Sequence, residues 1–275
     1  VSVPKAEKLN RGIHLIKTLG CAGCHKIQGY QDVRKAGPSL ARLSGKLQAD
    51  WVEKWVRDPK GFRPSAKMPK IFDLQNVNSP EEIAKGTAAI HGITEYLFHN
   101  SEIQTYPAPP FAGDVARGEN LVAKTGCRAC HVVGDGDDLG QEYGLRNFGP
   151  NLNDMGSKTS YGWLYAWVKN PEQYFPETVM PNLRLTDQEA ADIAAYLMTL
   201  RNRDFEIRSS AAVDPQVRDD LAFDFLKARM PVLAARDSLS RMSEKAKDLF
   251  IGDRMILKQG CFGCHLIPGF EDVTP

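Results

Sequence analysis

The chain has 275 residues, 42% of them hydrophobic and 25% charged, which excludes disordered, collagen-like and coiled-coil classes and predicts two or three compact units. Lys plus Arg (35) nearly cancels Asp plus Glu (34), so the basic footprint of a nucleic-acid binder is missing. The charge is graded, with 16 Lys/Arg against 10 Asp/Glu over residues 1–106 and 9 against 12 over residues 107–203, a gradient that orients docking partners or is plain solvated surface.

Apolar spacing over residues 6–18 predicts a helix that runs into Cys21-Ala-Gly-Cys24-His25. Gly37-Pro38-Ser39-Leu40 reads as a loop. In the helix after it, Trp51 and Trp55 share one face at i, i+4 spacing. Met68-Pro69 comes next, and Ser79-x-x-Glu82 is a capping box ahead of a helix over 83–97. Tyr106-Pro-Ala-Pro-Pro-Phe111 reads as a stiff spacer.

The series then starts again: a helix over 115–124, Cys127-Arg-Ala-Cys130-His131, Gly149-Pro150-Asn151-Leu152, Trp163 and Trp167, and Met180-Pro181. The capping box Thr186-x-x-Glu189 precedes a closing helix. Residues 215–258 read as helices interrupted at Pro231, with Leu221, Phe223, Phe225 and Leu226 offering apolar surface, a connector or a docking face. Cys261-Phe-Gly-Cys264-His265 follows. No alternating strand pattern appears, no run approaches the roughly 18 apolar residues of a membrane span, and no secretory leader is visible.

These parts form an internal repeat. An offset of 112 carries Trp51 and Trp55 onto Trp163 and Trp167, Gly37-Pro38 onto Gly149-Pro150, and Met68-Pro69 onto Met180-Pro181. The first two cysteine motifs stand 106 apart, and Gly12, Gly118 and Gly252 each precede their first Cys by nine residues. Leu266–Val273 repeats Lys26–Val33 at an offset of 240. Continuing that register puts the third Gly-Pro pair past Pro275. The expected organisation is therefore 1–105 and 113–203 as full copies, 106–112 as linker, 204–245 as helical connector and 246–275 as the start of a third copy.

All six cysteines lie in the three C-x-x-C-H motifs. That motif is the covalent haem attachment signature: each thiol adds across one vinyl group, and the adjacent His reaches the iron. A zinc site needs four ligands and each motif supplies at most three. A thioredoxin-like dithiol does not call for the His. The cysteine motifs thus predict three haem c groups, on Cys21/Cys24, Cys127/Cys130 and Cys261/Cys264, with His25, His131 and His265 as iron ligands.

Each full copy resembles a class I cytochrome c domain, in the order helix, C-x-x-C-H, Gly-Pro loop, Trp-bearing helix, Met-Pro, closing helix. The resemblance implies an all-α fold of tandem domains, with Gly12 packed on Tyr96 and Gly118 on Tyr196. It implies Met68 and Met180 as sixth iron ligands, against their reading as core filler. His/Met ligation raises the haem potential and leaves no open coordination site. It further implies that the carbonyls of Pro38 and Pro150 accept from His25 and His131, and that Trp55 and Trp167 donate to a haem propionate, the alternative being hydrophobic wall. In this register His265 has no family-type sixth ligand. His14, His91 and His99 read as surface or core residues, and Asp135, Asp137 and Asp138 as a solvated acidic loop rather than a calcium site.

The functional expectation is a multihaem cytochrome that carries single electrons between redox proteins, not itself an enzyme. Haem c attachment takes place outside the cytoplasm, which implies an export signal upstream of Val1 and a place in the periplasm or on the outer face of the cytoplasmic membrane. A respiratory chain with a quinol-oxidising complex as partner fits. The alternatives are a haem subunit of a dehydrogenase complex and a peroxidase.

Overall fold

The computed structural model describes residues 3–18, 21, 25, 27–30, 35–102, 104–134, 149–208 and 210–273. Among the described residues every regular element is helical. The chain runs through α1 (Glu7–Thr18), α2 (Leu43–Lys46), α3 (Ala49–Arg57), α4 (Pro59–Phe62) and α5 (Pro80–His99). It continues with α6 (Val115–Lys124), α7 (Cys127–Cys130), a 3-10 turn (Met155–Ser157), α8 (Tyr161–Lys169), α9 (Pro171–Tyr174) and α10 (Asp187–Thr199). The remainder forms α11 (Arg203–Glu206), α12 (Pro215–Lys227), α13 (Val232–Ser240), α14 (Glu244–Gln259) and α15 (Cys261–Cys264). Among the described residues no helix is long and apolar enough to cross a membrane.

Both capping boxes form. Thr186 N–H donates to Glu189 Oε2 at 2.8 Å and Glu189 N–H to Thr186 Oγ1 at 3.3 Å. Ser79 N–H donates to Glu82 Oε2 at 2.8 Å and Glu82 N–H to Ser79 Oγ at 3.2 Å. Each box satisfies two backbone donors that the helix start leaves open. Pro231 separates α12 from α13 and stands at the N-cap of α13, where a residue without a backbone N–H costs nothing.

The chain divides into two compact units, and they do not follow the tandem order of the repeat. The first comprises Val1–Leu43, Ala84–Glu102 and Val213–Pro275; the second comprises Ser44–Ile83 and Ile103–Ala212.

In the second unit α10 packs on α6 and α8. Val122, Trp163, Leu164, Ile193, Ala194 and Leu197 lie at the centre of its core, each large apolar side chain contributing about 1.5–3 kcal/mol by burial. The crossing of α6 over α10 is close: a Cβ on Gly118 would stand 2.0 Å from the Asp192 carbonyl oxygen and 2.9 Å from Tyr196 Cβ. Asp192, 2% exposed, accepts from Arg117 Nε at 2.8 Å, from Asp114 N–H at 2.7 Å and from Gln188 at 2.8 Å. These bonds, that of Arg117 foremost, hold its carboxyl down at about 2. Residues of the first repeat belong to this unit as well. Trp51 stacks on Trp55 at 5.1 Å and meets Phe62 edge-on at 5.2 Å, and Phe62 meets Phe205 at 4.8 Å. Thr159 Oγ1 donates to the Lys46 carbonyl at 2.5 Å, and Arg63 pairs with Asp154 at 3.0 Å. Tyr106, expected in a stiff spacer, packs against this core and faces Tyr174 at 6.1 Å.

In the first unit α12 packs on α13 and α14, and Ile251 and Ile256 of α14 are fully buried. Leu221 and Leu226 are buried too, and the Phe223 ring lies under Lys227 at 5.6 Å and Arg236 at 5.3 Å. Leu221 and Leu226 of α12 are thus buried within this unit, and Phe223 is covered in part by the two cations. The helix against α5 is not the expected one. A Cβ on Gly252 of α14 would stand 2.1 Å from the Gly92 carbonyl oxygen and 2.7 Å from Tyr96 Cβ, whereas one on Gly12 of α1 would meet nothing within 4 Å. The Gly12–Tyr96 pairing is therefore replaced by Gly252–Tyr96. Both glycines carry the same local signal, and spacing cannot rank them.

Candidate haem-attachment site

In the second unit α7 is a single helical turn that places Cys127 and Cys130 one turn apart, with His131 directly after it. Both thiols are half-buried and free of any disulfide. The strand of chain after the motif runs beside the Gly-Pro loop: Gly149 N–H donates to the Cys130 carbonyl at 3.0 Å and Leu152 N–H to the Val132 carbonyl at 2.9 Å. His131 Nδ1–H donates to the Pro150 carbonyl at 2.7 Å. A carbonyl only accepts, so the proton sits on Nδ1 and the Nε2 lone pair is left for a metal. Gly149 must lack a side chain here, because a Cβ would stand 2.3 Å from His131 Cε1.

Trp163 and Trp167 stack at 5.4 Å, and Tyr174 meets both edge-on. The Trp167 indole N–H donates to Met180 Sδ at 2.9 Å, and the Trp55 indole N–H to Met68 Sδ at 3.1 Å. In both repeats, then, the donor expected to reach a propionate is directed at the Met sulfur. Two cations line the same unit. Lys46 Nζ stands 4.8 Å from the Trp163 ring, and desolvation lowers its pKa to about 8. Desolvation, with Lys46 and Arg63 as like-charged neighbours, lowers Lys158 to about 7.

The first unit repeats the arrangement with residues far apart in the chain. α15 carries Cys261 and Cys264, and His265 Nδ1–H donates to the Pro38 carbonyl at 2.9 Å. Gly37 N–H donates to the Cys264 carbonyl at 2.8 Å, and Leu40 N–H to the Leu266 carbonyl at 2.9 Å. A Cβ on Gly37 would stand 2.3 Å from His265 Cε1. Lys35 Nζ donates to the Phe262 and Gly263 carbonyls at 3.1 and 3.0 Å. Burial raises the Cys261 thiol to about 11 and lowers His265, a fall that the Pro38 bond partly opposes.

The remaining expected site residues are placed as follows. Cys24 lies outside the described residues; Cys21 is half-buried and His25 exposed. Pro38, expected to accept from His25, accepts from His265. The loop with Asp135, Asp137 and Asp138 lies outside the described residues. His14 and His99 are exposed, and His91 stands 3.9 Å from Asp248. Asp192, Lys46 and Lys158 went unnoticed in the sequence. Asp192 carried one available signal, an acidic residue on the buried face of a closing helix.

These residues fit a covalently attached haem: two free thiols one helical turn apart, and an imidazole whose Nδ1–H is committed so that Nε2 keeps its lone pair. Residues 115–201 match the family model described as Cytochrome c. The match holds Cys127, Cys130, His131, Pro150, Trp167 and Met180, so this segment is a cytochrome c domain with covalently bound haem, a haem-based electron carrier. No solved structure matches the chain.

Proposed function

We propose that the protein carries single electrons between redox partners through three haem c groups, held by Cys127/Cys130, Cys261/Cys264 and Cys21/Cys24. His131, His265 and His25 supply imidazole to iron, and Met180 and Met68 supply thioether sulfur. The observation that carries the reading is the 2.7 Å bond from His131 Nδ1–H to Pro150. It fixes the tautomer and ring orientation, so the ligand is in place in both redox states. The bound haem supplies the one-electron couple. Around it the chain's own residues hold geometry: Pro150 anchors His131, Trp167 N–H holds the Met180 sulfur, and the stacked Trp163–Trp167 pair excludes water.

Export to the periplasm, a respiratory chain and a quinol-oxidising partner fit this reading, because haem c is attached outside the cytoplasm and a sulfur ligand raises the potential. Low-temperature EPR with near-infrared magnetic circular dichroism on the oxidised holoprotein tests it. The expected signals are low-spin, with a sulfur-to-iron charge-transfer band from His/Met haem. A dominant high-spin signal that shifts with peroxide overturns it in favour of an enzyme.

A further inference from the structure

We infer that the third C-x-x-C-H motif forms a haem c site with the first repeat. Cys261, Cys264 and His265 at one end of the chain combine with Gly37-Pro38 and the closing helix α5 from the other. The inference rests on the haem reading above and adds which segments build the site.

Three independent features of the 113–203 domain reappear in the first unit with α14–α15 in place of α6–α7. The first is the imidazole bond, His131 to Pro150 at 2.7 Å and His265 to Pro38 at 2.9 Å. The second is the backbone pairing beside it. Gly149 to Cys130 and Leu152 to Val132 become Gly37 to Cys264 and Leu40 to Leu266. The third is the helix crossing: Gly118 against Asp192 and Tyr196 becomes Gly252 against Gly92 and Tyr96. Sequence alone matches positions 92 and 96 to 192 and 196 at a constant offset of 100.

Burial follows the same assignment. Val122 of α6 and Ile256 of α14 are buried at 1% and 0%, while Ile16, their counterpart on α1, is half-buried. Met255 is 5% exposed against 42% for its α1 counterpart Leu15. Tyr96 Oη donates to the Pro268 carbonyl at 3.1 Å, and its ring meets Phe270 at 5.6 Å, closing the loop after His265. Charge fastens the pairing: Lys245 is bonded to Glu95, and Lys85 stands 3.1 Å from Asp224.

Zero-length carbodiimide cross-linking of the holoprotein, followed by peptide mass spectrometry, tests the assignment without any substitution. The expected cross-links join Lys245 to Glu95 and Lys85 to Asp224. Cross-links that join Glu7 or Lys8 to residues 81–95, with none from Lys245, overturn it. A pair of variants adds a second readout. Gly252→Val is expected to lower the thermal midpoint of the holoprotein and to cost haem on the peptide that contains Cys261, whereas Gly12→Val leaves both at the wild-type level. The reverse pattern overturns the inference. Haem missing from all three motif peptides while the Lys245–Glu95 cross-link persists would sink the electron-carrier reading and leave this pairing standing.

Discussion

His265 Nδ1–H donates to the Pro38 carbonyl at 2.9 Å across 227 positions of chain, and His131 makes the same bond to Pro150 at 2.7 Å across 19. The two bonds do one job: each commits one ring nitrogen and aims the other. Their different reach shows that a C-x-x-C-H motif and the Gly-Pro loop it bonds need not be neighbours in sequence.

Gly149→Ala is expected to disturb this geometry directly. The new Cβ would stand 2.3 Å from His131 Cε1, and the imidazole has little room to yield without breaking its bond to Pro150. We expect a loss of about 1–3 kcal/mol, as for overpacking in a filled interior. EPR of the holoprotein should show one altered haem. Gly37→Ala should alter a different haem. Unchanged spectra from both variants would contradict the anchoring role.

Met180→Ala should lower one haem potential while covalent attachment persists, by on the order of 0.2 V within the roughly 0.8 V that axial ligands span. Trp167→Phe should lower the same potential by less. It removes the N–H that lies 2.9 Å from the sulfur and so lets the thioether donate more to the oxidised iron. Potentiometric titration of each variant separates the two, and retention of every wild-type potential in Met180→Ala would refute the ligand assignment.

Asp192 makes acid sensitivity predictable. Its carboxyl is held at about 2, below the unfolded value near 3.9. Its stabilisation is therefore complete above about pH 4 and fades as pH falls through about 2. Asp192→Asn should cost on the order of 2 kcal/mol at pH 7. Urea unfolding at pH 7, 4 and 2.5 checks this, and the cost should shrink at the lowest value.

Lys158 works in the opposite sense. Desolvation brings it from 10.5 to about 7, so between those values the unfolded chain binds more protons and stability rises with pH. Lys158→Met should stabilise the protein at pH 6 by roughly 1 kcal/mol, allowing for solvent screening of a half-buried group. The gain should vanish near pH 10. Denaturation at the two pH values decides it, and an equal gain at both would show that apolar burial of the new side chain, not removal of the charge, is at work.

Some features are encoded locally and were legible in the residues. The capping boxes at Ser79 and Thr186 need only two side chains three positions apart, and both form. The single turn of helix that spaces the two cysteines of α7 and of α15 is local to C-x-x-C-H, and the 112-residue repeat located the loop and the Trp pair in each copy. Helical class followed from apolar spacing for the same reason. Such patterns act within a turn or two of chain.

Which attachment motif joins which loop is of another kind. Residues around Gly12 and Gly252 carry the same glycine, the same spacing and the same motif, so either satisfies every local rule for packing on α5. Tertiary structure chose α14, because it buries Ile251, Met255 and Ile256, joins α12 along its side and brings Lys245 to Glu95. The aim of the Trp55 and Trp167 indoles at Met sulfur was settled in the same way. The residues themselves determined that this protein binds haem covalently on a helical scaffold. Only the fold, by summing buried area and charge over segments far apart in sequence, decided which residues gather around His265.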